Sequence, residues 1–421
     1  MTEGDSIGGR PWTMARERWL LLTLAAIQFT TIVDFLIVIP LGPQYEQVFH
    51  IGPRDFGLVV AAYGIAAGVT GLLAGFLLDH FDRKQALVWL YFGFTLGTLF
   101  CAVAPTYHLL VAARVTAGAF GGVCGAVILA IVGDVVPMHR RGAAMGLVMS
   151  SFSVSSIVGV PVGLYIANHS SWNVPFYALG ALSGLVAIVA ACITPPLRSH
   201  MRHATEEHPF ERTLAVMLHP DHQKAFVLMA ALTFASFCIF PYMPDYMVLN
   251  VGLTKEQLPL VYVCGGLCTV FSMNWVGRWS DRSGKLRVFT LTSLSTAVPI
   301  LLLTNLPRVP VPVALGVTTL LMICMSSRMV PAMAMMTGAV EARYRGGFMS
   351  INSAVQMFSM GLASYVSGRI IGETPDHQLT HYPINGLFSV ACAYTCIYLA
   401  RFLKPVPEKG MADAPVMAES M

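Results

Sequence analysis

The chain reads as an all-α membrane protein, twelve transmembrane helices arranged as two pseudo-symmetric six-helix bundles. Three observations lead there. Of 421 residues, 55% are hydrophobic and only 11% charged, whereas ordinary soluble domains are roughly 25% charged. The apolar residues fall in runs of about 20, enough to cross a hydrocarbon core of about 30 Å. The second half of the chain also repeats motifs of the first. A transmembrane β-barrel would alternate apolar and polar residues in segments of about ten, and no such alternation dominates.

Taken in order, span 1 covers 19–41; it is too long for a signal-peptide core and lacks a cleavage site, so it is expected to stay as a helix. Span 2 (55–79) and span 3 (85–104) flank Arg83 and Lys84. Span 4 (107–134) and span 5 (142–167) flank Arg140 and Arg141, and span 6 (173–193) ends before Pro195 and Pro196. The longest polar stretch, 194–222, holds Arg198, Arg202, Glu206, Glu207, Glu211 and Arg212 and reads as a linker with one amphipathic surface helix. Spans 7 to 12 follow at 223–248, 257–278, 286–305, 310–337, 346–371 and 384–402. The expected organisation is a tail (1–18), a bundle (19–193), the linker, a second bundle (223–403) and a tail (404–421).

Of the 26 Lys and Arg residues, 20 lie in the tails, the linker and the even-numbered loops or at the span ends that border them (Lys224, Arg278, Arg287 and Arg401). Odd-numbered loops hold Arg54, Lys255 and Arg308, while Arg114, Arg328 and Arg369 lie within spans. The positive-inside rule then places both termini in the cytoplasm. No basic patch with interleaved aromatics points to nucleic acid. The nine cysteines all fall in or at the ends of spans, which offers no disulfide framework. Cys264/Cys268 and Cys392/Cys396 have i,i+4 spacing but no neighbouring His or carboxylate, so no metal is assigned. Asn168-His169-Ser170 matches a glycosylation sequon in a loop too short to favour its use.

The repeat is specific. Gly75, Asp79, Arg83 and Lys84 recur about 200 residues later as Gly277, Asp281, Arg282 and Lys285; Arg141-Gly142 with Met145 recurs as Arg345-Gly346 with Met349. Two related bundles facing one another place a binding site at their interface near the bilayer midplane. At these residues the sequence resembles the major facilitator superfamily, and within it the twelve-helix drug:proton antiporters and sugar-efflux permeases, over nearly the whole chain. The loop after span 2 follows the G-x-L-x-D-R-x-G-R-K pattern through Gly75, Leu77, Asp79, Arg83 and Lys84, with His80 at a usually basic position and Asp82 at a usual Gly. Arg114 to Gly118 match R-x-x-x-G. Gly159, Pro161 and Gly163 look like the antiporter motif, with Val160 where Gly usually precedes Pro. The resemblance implies gating by Gly75, Asp79, Arg83, Lys84, Gly277, Asp281 and Arg282. It also implies a monomer in the lipid bilayer, expected to be a bacterial inner membrane, a small-molecule substrate, and the proton as coupling ion with no other cofactor.

Ionisable groups inside a span are costly unless paired or hydrated, so each is a functional candidate. Asp34 in span 1 and Arg114 in span 4 both fall about 10 Å below the outer helix ends at 1.5 Å per residue. They are read as the proton-coupling pair, with a structural ion pair locking two helices as the alternative. Because Arg keeps its proton, Asp34 is the member that titrates, with Thr30 and Thr31 on its face as expected hydrogen-bond partners and Gln28 a turn below. Arg328 in span 10 is suited either to an anionic substrate group or to snorkelling toward headgroups.

Met322, Met325, Met329, Met333 and Met336 share one face of span 10, as either a pliable binding wall or a packing stripe. Asn352, Gln356 and Ser359 form a polar stripe on span 11. The expected cavity residues are therefore Gln28, Thr31, Met325, Arg328, Met329, Met333, Asn352 and Gln356. Gly64, Gly68, Gly71 and Gly75 line one side of span 2 and allow close helix approach. Pro241 and Pro244, with Asp245 at the outer mouth, make span 7 a candidate outer gate. The functional expectation is proton-coupled export of a small organic or amphipathic compound by alternating access; the alternative is a proton symporter or facilitator for a sugar-like metabolite. No H-E-x-x-H or P-loop pattern supports an enzyme or an ATP-driven pump, and a channel does not require two repeated halves with gate motifs.

Overall fold

The computed structural model describes residues 6–7, 10–11, 13–77, 81–197, 209–341 and 344–403. Among these, eleven helices are long and apolar enough to cross a membrane. The helix of span 11, Arg345–Ile370, is 26 residues long, about 39 Å at 1.5 Å per residue. Its polar stripe leaves it less apolar than the other eleven, and it packs along the helix of span 2, Pro53–Leu77. The large side chains left exposed are apolar and aromatic, among them Trp19, Trp89, Leu185, Phe271 and Trp275. Such a surface belongs in lipid rather than water.

Local chemistry sets the helix ends. Thr13 and Thr106 cap spans 1 and 4 through their hydroxyls. Asp82 caps span 3, accepting from Lys84 N at 3.0 Å and, across the connection, from Leu197 N at 3.1 Å. This gives a purpose to an aspartate standing where the resemblance leads one to expect glycine. Replacing Asp82 by Ala should cost about 1 kcal/mol or more for the lost cap, read as a lower melting temperature in detergent with transport retained at permissive temperature.

Several expected spans are interrupted. Span 5 comes as Met138–Val154, a π turn at Ser155–Gly159, and Val160–His169; Pro161 cannot donate a backbone hydrogen bond, and the register slips just before it. Span 7 runs Pro220–Phe237 and then breaks into short turns between Phe240 and Val251 around Pro241 and Pro244. Span 9 divides between Ser295 and Ala297, shortly before Pro299. Three further features lie outside the sequence expectation, a helix Gly42–Phe49 between spans 1 and 2, a hairpin pairing Gly372–Glu373 with Leu379–Thr380, and a short pairing of Ser6–Ile7 with Arg10–Pro11. The amphipathic linker helix is present as Pro209–Leu218.

The face holding the linker is called the linker face, and the opposite one the far face. Spans 1, 3, 4, 5 and 6 pack on one another, with span 2 against span 4; spans 7, 9, 10 and 12 form a corresponding group, with span 8 against span 10. Span 2 against span 11 joins the two groups. Among the described residues, every hydrogen bond directly between the two sets of spans lies at the far face. Asn168 Nδ2 donates to Lys255 O at 2.8 Å, Lys255 Nζ to Gln47 Oε1 at 2.7 Å, and Tyr242 OH to Pro53 O at 3.2 Å. One buried apolar cluster continues from span 1 through Ile239, Tyr242 and Leu258 to Tyr382. At the linker face, Cβ atoms built on Gly142, Gly146, Gly338 and Gly346 would stand in open space. The conformation is therefore closed at the far face.

Candidate functional site

Asp34 and Arg114 meet in the interior. Arg114 Nη1 donates to Asp34 Oδ2 at 2.7 Å and to the Asp34 carbonyl at 3.3 Å, and both side chains are 0% exposed. Thr98 of span 3 donates to Asp34 Oδ1 at 2.9 Å, and the Arg114 guanidinium sits 4.5 Å from the centre of the Tyr63 ring of span 2. Four helices thus hold one ion pair away from solvent. Arg114 Nε and Nη2 have no partner, so the guanidinium is bonded through one nitrogen of three.

The threonines expected to serve Asp34 do not reach it. Thr30 bonds the Ile27 carbonyl at 2.9 Å and the Tyr91 hydroxyl at 2.8 Å, and Thr31 bonds the Gln28 carbonyl at 3.0 Å. A helical Thr satisfies itself on the preceding turn, which removes it as a partner for a neighbour on the same helix. Thr98 was missed because nothing in its spacing marks which helix it faces. Gln28 points toward span 4, its Oε1 buried without a partner near Gly125.

The antiporter-like motif packs directly behind this pair. A Cβ on Gly159 would strike Val33, the residue before Asp34, and one on Gly163 would lie 2.6 Å from Ile37 Cδ1. Pro161 is buried between them. Ser151 and Ser155 tie the same helix to span 1 by donating to the carbonyls of Ala25 and Phe29 at 2.8 and 3.2 Å.

The expected cavity residues of the second half divide between two settings. Arg328 is fully buried and does not snorkel: Nη2 donates to Ser236 Oγ at 2.7 Å in span 7, while Nε and Nη1 have no partner. Asn352 is buried with Oδ1 unpartnered. Met325, Met329, Met333 and Gln356 are half-buried, and a Cβ on Gly265 of span 8 would meet Met322.

Of the gate motifs, Asp79 lies outside the described residues. Arg83 pairs with Asp134 at 3.2 Å, and Gly75 accepts from Thr213 of the linker helix at 3.3 Å. Lys84 is partly buried, Gly277 faces Val330, and Asp281 and Arg282 are exposed. The glycine row of span 2 forms the contact with span 11. Built Cβ atoms on Gly64 and Gly68 would lie 2.9 Å from Gly361 N and 2.6 Å from Phe358 Cβ. Asp245 is not at an open mouth but fully buried, because the helix Gly42–Phe49 covers it.

Comparisons with known proteins agree with this architecture. The sequence profile of the Major Facilitator Superfamily matches residues 24–273 and 225–416. The inner membrane transport protein YdhP of Escherichia coli strain K12 is 24% identical over 87% of this chain and 92% of its own length. Multidrug resistance protein 2 of Bacillus subtilis is 23% identical over 67% of this chain and 72% of its own. Among solved structures, a bacterial homolog of the human lysosomal transporter Spinster, inward-facing and unoccupied, superposes with a TM-score of 0.72 at 14% identity, covering 93% of this chain and 98% of that one. The nucleoside transporter NupG gives 0.71 at 12% identity over 91% and 99%. With two matches that together span nearly the whole chain, and a fold shared with solved members, this multi-pass membrane protein belongs to the Major Facilitator Superfamily and is a transporter, not an enzyme.

Proposed function

We propose that the protein exports a small organic or amphipathic compound in exchange for protons, with Asp34 and Arg114 as the coupling pair. The observation that carries this reading is the incompleteness of the pair. A structural lock between buried charges is stable when both partners are fully hydrogen-bonded. Here two guanidinium nitrogens have no oxygen partner in the protein, and a buried donor left unmet costs about 1–3 kcal/mol. The arrangement is one state of at least two. A proton on Asp34 removes the charge that holds Arg114 yet leaves the Thr98 hydroxyl bond available, so Arg114 is released toward another acceptor.

In this reading the bundles 19–193 and 223–403 rock about the glycine contact of spans 2 and 11. The linker face is cytoplasmic, in keeping with the placement of basic residues. The Asp34–Arg114 pair takes its proton from the opposite side and releases it to the cytoplasm. The name of the Bacillus subtilis relative supports drug-like substrates, and that of the Escherichia coli relative supports a bacterial inner membrane. The same fold in a nucleoside transporter shows that fold does not choose a substrate. Gln28, Thr31, Asn352 and Gln356 supply polar contacts, Met325, Met329 and Met333 a pliable wall, and the free nitrogens of Arg328 select an acceptor or anionic group on the compound.

The test is transport of a chemically varied panel in reconstituted vesicles under an imposed pH gradient. Export against inward proton flow supports the reading, and movement of compound and proton in the same direction identifies a symporter instead. Converting Met325, Met329 and Met333 to Leu should preserve expression but change the relative rates across the panel several-fold, since Leu keeps the volume and loses the flexibility. A uniform change across all compounds would assign the stripe to packing.

A further inference from the structure

A second pair of carboxyl groups lies between the halves at the far face, apart from Asp34. Asp245 of span 7 presses on the helix Gly42–Phe49: a Cβ on Gly42 would lie 2.5 and 2.7 Å from its two carboxyl oxygens. Glu46 stands one turn further along the same helix, hence on the same face. Asp245 is 0% exposed and neither of its oxygens has a partner among the described residues; Glu46 Oε1 is likewise buried without one. A third group in the same place, the Tyr262 hydroxyl of span 8, is buried and unpartnered.

The charges around this pair are few. Asp245 and Glu46 act on each other, and Glu373 of the far-face hairpin acts on Glu46. Tyr242, Tyr262 and Tyr382 lie within electrostatic reach of Asp245, and Tyr45 lies within reach of Arg114 and Asp34. Glu373 is paired with the exposed His377 at 2.5 Å. Lys255 is bonded to Gln47, and Arg54 acts on Tyr107; neither forms an ion pair with the two carboxyls. Two carboxylates brought together in a dry interface without a cation cannot both remain ionised at reasonable cost.

We infer that Glu46 and Asp245 form a proton-binding site that licenses closure of the far face. When the halves separate at that face, both carboxyls meet water and ionise; when they close, the pair takes up at least one proton from the same side. The proton returns to that side on reopening, so the site senses external pH and carries no proton across. This adds to the role of Asp34 and does not depend on it.

The direction of the effect follows from Glu46. Burial and the neighbouring Glu373 push its carboxyl up to about 8 in the closed state, whereas an exposed Glu titrates near 4.3. Between those values the closed form holds more protons, so closure is favoured as pH falls, by up to tenfold per pH unit per proton, and is lost as pH rises toward about 8.

Spin labels at Ser171 and Thr254, exposed far-face positions on opposite halves, report the opening in a background lacking reactive cysteines. In the otherwise native protein, the short-distance population should fall progressively between pH 5.5 and 8.5. The Glu46→Gln/Asp245→Asn variant should keep it at pH 8.5, and its short distance at pH 5.5 checks that it folds. If the double variant does not fold, Glu46→Gln alone should lower the pH dependence. Asp34→Asn and His377→Gln should leave the response in place. A response unchanged by the Glu46 and Asp245 substitutions, or absent from the parent, overturns the inference; so does one abolished by His377→Gln, which would assign the sensing to the Glu373–His377 pair. A response abolished by Asp34→Asn alone would transfer it to the central pair and leave the coupling proposal standing.

Discussion

Asp34→Asn should yield a protein that binds its compound but no longer concentrates it, with the accumulation ratio under a pH gradient falling to about one. Asn keeps the shape of the protonated carboxyl and can still accept from Thr98, but it can neither gain nor lose a proton. Binding of an uncharged compound, read as a ligand-dependent rise in melting temperature, should persist because its contacts need not involve the carboxyl. The substitution also leaves Arg114 buried without its counter-charge, a change that typically costs about 3–5 kcal/mol. Should that prevent folding, Asp34→Asn/Arg114→Gln removes both charges together and should show the same loss of accumulation. A folded variant of either kind that still builds a gradient would remove Asp34 from coupling.

The second large effect is expected at Gly361. A Cβ there would lie 2.7 Å from Ile65 N and 2.8 Å from Ala61 O of span 2. These are backbone atoms, so the helices have to move apart to accommodate it. Gly361→Val should therefore lower transport at least tenfold and lengthen the Ser171–Thr254 distance, while Gly361→Ala falls between. Near-normal transport by the Val variant would mean that the tight contact of spans 2 and 11 is not needed in the cycle.

How far the sequence reaches is clearest from these residues. The cost of charge in lipid made Asp34 and Arg114 legible as a pair, and their equal depth was readable from helix rise alone. Their neighbours were not: rotation about the helix axis and helix-to-helix contact decide that Thr98, rather than Thr30 or Thr31, bonds the carboxyl. The glycine row of span 2 announced a close helix contact, yet nothing in its spacing named span 11 as the partner. Asp245 looked like a mouth residue because depth along span 7 was the only coordinate available. The short helix Gly42–Phe49, which begins with Gly-Pro and has too few apolar residues to draw notice, covers it. The interruptions of spans 5, 7 and 9 were signalled by proline, but the type of turn adopted depends on packing against neighbouring helices.

Compound and proton are expected to move in opposite directions through the state change at Asp34 and Arg114. The most direct test places the unaltered protein in vesicles containing a pH-sensitive dye, with no ion gradient imposed, and adds a transported compound on one side. Exchange predicts that protons leave the vesicle lumen as compound enters, in fixed proportion, and that Asp34→Asn abolishes the dye signal. Compound entry with no accompanying pH change in the unaltered protein would contradict it.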